Sequence, residues 1–67
     1  MKRAGRAALR TARIAARGID WSHANTGDIR FRKARRKIEA AIKFANSIAE
    51  HKAAKIIKEE FEKVIET

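Results

Sequence analysis

Between Ile29 and Glu66 the chain has neither proline nor glycine, and its apolar residues Phe31, Ala34, Ile38, Ile42, Ala45, Ala49, Ala53 and Ile56 recur every three or four positions. That interval keeps side chains on one face of an α-helix and does not fit the two-residue alternation of a half-buried strand. The simplest reading is one helix over about 29–66, which at the α-helical rise would be on the order of 57 Å long. Beyond Ile56 the apolar stripe shifts to Ile57, Phe61 and Val64, and this drift implies a bend or a different packing partner for the last turns.

A shorter helix is expected over about residues 3–17. Ala4, Ala7, Ala8, Leu9, Ala12, Ile14, Ala15 and Ala16 give this segment high helix propensity. Gly18 stands where a left-handed C-cap residue is wanted, and Ile19 is placed to fold back on the last turn. One face of the helix would carry Gly5, Ala8, Leu9, Ala12, Ala15, Ala16 and Ile19, small enough for another helix to approach closely. Residues 19–28 are rich in turn and cap formers, with Asn25, Thr26 and Gly27 reading as a turn and Asp28 as the N-cap of the long helix. The fold class is therefore all-α: a helix-turn-helix hairpin of a short N-terminal and a long C-terminal helix.

The two helices are unequal, which bears on assembly. A first helix of about 14 residues covers only some 21 Å of the second. Apolar positions from about Ala45 onward would then lack a partner within the chain. A chain of 67 residues is near the lower limit for a self-sufficient core. Self-association is the expected remedy, with Ile42, Ala45, Ala49, Ile56, Ile57, Phe61 and Val64 as the contact residues. Phe31, Phe44 and Phe61 are expected to pack. Glu39 with Lys43, Lys55 with Glu59, Lys58 with Glu62 and Glu59 with Lys63 are spaced for ordinary surface pairs.

Charge divides the single domain into two halves. Residues 1–37 carry nine Arg and three Lys against Asp20 and Asp28, giving +10, whereas residues 38–67 carry five Lys against six Glu, giving −1. In the first half Arg3, Arg6, Arg10, Arg13 and Arg17 are separated by 3, 4, 3 and 4 residues, with no acidic residue before Asp20. On a helix they would lie within an arc of roughly 80°. Ile14 falls near the edge of that stripe, either exposed or packed against whatever the arginines bind. A second block, Arg30, Arg32, Lys33, Arg35, Arg36 and Lys37, opens the long helix.

Solvated helix faces usually mix lysine with glutamate, whereas arginine's planar fork is suited to bidentate contact with phosphate. The pattern points to nucleic acid held by its backbone, with residues 1–37 as the binding half and 38–67 as the oligomerising half. Six cations at a helix N-terminus oppose the helix dipole, a cost that a bound polyanion would remove. Candidates for reading base edges are few: Ser22, Asn25, Asn46, Ser47 and the two histidines form no recognition-helix pattern. Binding is therefore expected to be largely independent of sequence. Trp21, the sole tryptophan, falls in the turn, either as a plug setting the angle between helices or as a base-stacking residue.

Other chemistry has little support. His23 and His51 have no metal-ligand spacing around them, cysteine is absent, and no glycine-rich phosphate loop occurs. No catalytic residue, metal or cofactor is expected. No apolar run approaches the length of a membrane span, and no signal-peptide core follows the basic start. The expected location is cytoplasm, nucleoid or virion, neither secreted nor transmembrane. The expected function is that of a non-enzymatic protein coating or compacting duplex DNA or structured RNA in many copies, as a nucleocapsid or nucleoid component does. The alternatives are a small basic ribosomal protein on structured RNA, or a helical adaptor for an acidic protein or anionic membrane.

Overall fold

The computed structural model describes residues 2–17, 19 and 27–65. They form α1 (Arg3–Ala16), α2 (Ile29–Ser47), α3 (His51–Glu60) and a single turn, α4 (Glu62–Ile65). The all-α expectation holds, but the single helix over about 29–66 does not. The chain breaks between α2 and α3 and doubles back, so that α3 packs on α2 and α4 reaches α2 as well, while α1 packs against both α2 and α3. The longest dimension of the molecule is 33 Å, well short of the roughly 57 Å an unbroken helix would need.

The reversal is a Schellman-type cap. Glu50 N–H donates to the Ala45 carbonyl at 2.8 Å and Ala49 N–H to the Asn46 carbonyl at 3.1 Å. Between them Ala49 takes the left-handed conformation, φ 61°. Its neighbours reinforce the turn: Ser47 Oγ donates to the Phe44 carbonyl at 2.7 Å, and His51 Nδ1 lies 3.0 Å from Asn46 Oδ1, bridging the end of α2 and the start of α3.

Magnitudes explain why the chain accepts this geometry without a glycine. A left-handed alanine costs about 1–2 kcal/mol. Folding back buries Ala53, Ala54, Ile57, Phe61 and Val64, all 8% exposed or less. Each large side chain among them is worth about 1.5–3 kcal/mol, so burial wins. Ala49→Gly should therefore stabilise the protein by about 1 kcal/mol in a urea titration. In a continuous helix the same change would destabilise by a similar amount. The sign of the effect tests the break.

The remaining elements obey local rules. Asp28 caps α2, its Oδ1 accepting from Arg30 N–H at 2.8 Å, and its carboxylate offsets part of the charge at that helix end, with Arg30 Nη2 3.8 Å from Oδ2. Ile19 N–H bonds the Ala16 carbonyl at 3.4 Å, and Ile19 is half-buried, as expected of a residue folding back on α1. Gly18, Trp21, Asn25 and Thr26, and the roles expected of them, lie outside the described residues. No side chain caps α1, and its first turn has no acidic residue. Packing therefore holds it: Ala8, Leu9 and Ala12 are 3%, 9% and 0% exposed, and Gly5 is buried on the same face, allowing close approach to the backbone.

The core joins that face to Phe31, Ile38, Ala41 and Ala45 of α2 and to Ala53, Ala54 and Ile57 of α3, with Phe61 and Val64 beyond them. This corrects the premise of the oligomer contacts. Ala45, Ile57, Phe61 and Val64 are buried within the chain, and Ile42 and Ile56 pack partly against the same core. Ala49, expected in the seam, is an exposed residue of the turn. Phe31 and Phe61 pack as expected, but Phe44 does not: it is 49% exposed, with Ile48, 39% exposed, one turn beyond it.

Candidate nucleic-acid interface

The small-residue face of α1 turns inward, which leaves its arginines outside. Arg3, Arg6, Arg10 and Arg13 are exposed on the helix, and Arg17 is exposed just after it. Arg17 departs from the expected stripe. It is the C-cap, with extended backbone (φ −64°, ψ 136°) and its N–H bonded to the Ile14 carbonyl. The fifth guanidinium is thus carried on a segment already leaving the helix. It still meets the others: Arg6, Arg10, Arg13 and Arg17, with Leu9 and Ile14, line an open concavity of about 580 Å³. Four cations thus flank an open surface on which Ile14 is also exposed. Ile14 is 49% exposed there, open to solvent in the free chain and available to whatever the arginines bind.

Arg13 has an acidic neighbour that no local pattern foretells. Arg13 Nε donates to both carboxylate oxygens of Glu60, at 3.2 and 3.1 Å, joining α1 to α3. Both partners are substantially exposed, 55% and 38%, so the pair contributes at most about 1 kcal/mol to stability after solvent screening. Its structural effect is to hold one guanidinium at the edge of the concavity. The residues are 47 positions apart, beyond the reach of helical spacing.

The second basic block is also at the surface. Arg30, Arg32, Lys33, Arg36 and Lys37 are exposed and Arg35 is partly exposed. Arg35 Nε lies 4.0 Å from Glu39 Oε1, so Glu39 pairs one turn back rather than forward with Lys43. None of these α2 residues lines the arginine concavity. The structure therefore brings together Arg6, Arg10, Arg13 and Arg17, and leaves Arg3 and the α2 block outside the lining of that concavity.

The residues considered for base edges are differently placed. Asn46 and His51 bond each other and Ser47 bonds the Phe44 carbonyl, so these three build the turn between α2 and α3. Ser22, His23 and Asn25 lie outside the described residues. Among the described residues there is no cluster of metal-ligating side chains, and no helix is long and apolar enough to cross a membrane. No family model, curated protein or solved structure shows significant similarity to this chain.

Proposed function

We propose that this protein is a non-enzymatic, largely sequence-independent nucleic-acid-binding protein that coats or compacts a duplex through its arginine-rich surfaces. The observation that carries the reading is the gathering of Arg6, Arg10, Arg13 and Arg17 around one open concavity, on a chain of net charge +9. Exposed guanidinium groups on one side of a rigid helix offer bidentate donors to successive phosphates without reorganisation of the core. The block from Arg30 to Lys37 supplies a second set of contacts at the start of α2.

A coat also needs contact between copies. Phe44 and Ile48 are exposed on residues 38–67, the half whose charge is −1. These two side chains offer an apolar contact between copies at the end of α2.

Sedimentation of the protein with duplex DNA, duplex RNA and anionic vesicles across a salt series tests the proposal. Neutralising about 7–9 phosphates gives a slope of log K against log salt of roughly −6 to −8. The absence of a salt-sensitive shift with either duplex would sink the reading. A protein that stays isolated on a long duplex would remove the coating role and leave a single-copy RNA-binding one.

A further inference from the structure

Beside the arginines, the outer surface of α1 carries a second row that charge alone does not explain. Thr11 and Ile14 are both exposed, and at helical spacing Ile14 falls roughly 60° and Thr11 roughly 120° round the helix from the middle of the arginine row, on the same side of it. Thr11 Oγ1 donates to the Ala7 carbonyl at 2.9 Å, so its hydroxyl hydrogen is engaged, and it offers a partner its methyl and the lone pairs of Oγ1. Ile14 is 49% exposed yet belongs to the concavity shared with four arginines. Exposed α1 thus pairs a line of phosphate donors with a parallel apolar edge.

Accepting the nucleic-acid reading above, we infer that α1 enters the major groove of B-form DNA, with its arginines on one backbone and the Thr11 methyl and Ile14 against thymine methyl groups. The dimensions favour DNA over RNA. An α-helix with side chains is about 10–12 Å across, close to the roughly 12 Å major groove of B-DNA. The A-form major groove of duplex RNA is deep and too narrow for it. Thymine's C5 methyl is the apolar feature of the B-form groove, and alanine or threonine methyls are its usual partners. Anionic membrane would also accept a basic face with an isoleucine, but it offers no reason for a preference between two bases.

The test compares the full chain on three duplexes of one A·T-rich sequence: thymine DNA, the same DNA with deoxyuridine replacing thymidine, and RNA. Anionic phosphatidylglycerol vesicles make the fourth arm. Uracil DNA keeps the B-form backbone and loses only the methyl. Thymine DNA should bind about fourfold more tightly per methyl seated, and the RNA duplex more weakly than either DNA. Ile14→Ser with Thr11→Ser should bring the thymine-to-uracil ratio to one, with the salt slope unchanged and helicity by circular dichroism retained. Equal affinity of the unaltered protein for thymine and uracil DNA overturns the inference and leaves backbone binding standing. So does a ratio that survives both substitutions, or RNA bound as tightly as DNA. Binding to vesicles with no binding to any duplex overturns the inference together with the reading on which it rests.

Discussion

Changing Arg6, Arg10 and Arg17 together to glutamate is expected to lower duplex affinity by about a thousandfold or more at 0.1 M salt. Each phosphate contact contributes roughly tenfold there through counterion release, and reversing the charge adds repulsion. The salt slope should become less negative by about 3 for the same reason. Arg13 is left in place because its contact with Glu60 would become a meeting of two carboxylates, confounding binding with packing. The three altered residues are exposed, and circular dichroism of the variant checks that helicity is retained. Equilibrium titration by fluorescence anisotropy at several salt concentrations gives both quantities. Unchanged affinity and slope would show that the arginines are merely solvated.

Ile57→Ala should bring the protein close to unfolding. Ile57 is fully buried, and truncating such a residue costs about 2–5 kcal/mol in lost transfer energy and residual cavity. A domain of this size has only about 3–10 kcal/mol in total, and each kcal/mol lowers its melting temperature by about 4–8 °C. A fall of at least about 10 °C is therefore expected from thermal melts. Its size should be the same at protein concentrations tenfold apart, because the cavity opens within one chain. The natural control is Phe44→Ala, which removes a larger side chain that is 49% exposed. In the isolated chain that change should cost only about 1 kcal/mol, since just half of the side chain is buried. Were Ile57 a seam residue between copies, its cost would instead fall as concentration rises.

These contrasts show which parts of the fold were legible in the sequence. The small-residue face of α1, the Asp28 cap and the stripe Phe31, Ala34, Ile38 and Ala45 could be read because each is a local property of helical spacing or capping. Phe44 was also within reach. It lies one position before Ala45, hence about 100° from the buried stripe, and a helical projection places it outside the core. The break at Ala49 was not within reach. Alanine is the strongest helix former, and the drift of the stripe pointed to the region beyond Ile56, several residues too late. The candidate site divides in the same way: helical periodicity groups the α1 arginines, whereas the approach of Glu60 to Arg13 depends on α3 folding back.

By itself, the sequence determined that the chain is helical, that positive charge belongs to its first half, and that α1 has one face for packing and another lined with arginine. Those properties arise from propensity and from spacing along a single helix. Only the tertiary structure decided that the long second helix expected from spacing is broken into α2, α3 and the single turn α4, and that its apolar residues complete a core within one chain. It also decided that Ile14 stands among arginines at an open surface. The physical reason is that a left-handed alanine is unfavourable locally and becomes acceptable only when Ile57, Phe61 and Val64 find partners far away in sequence.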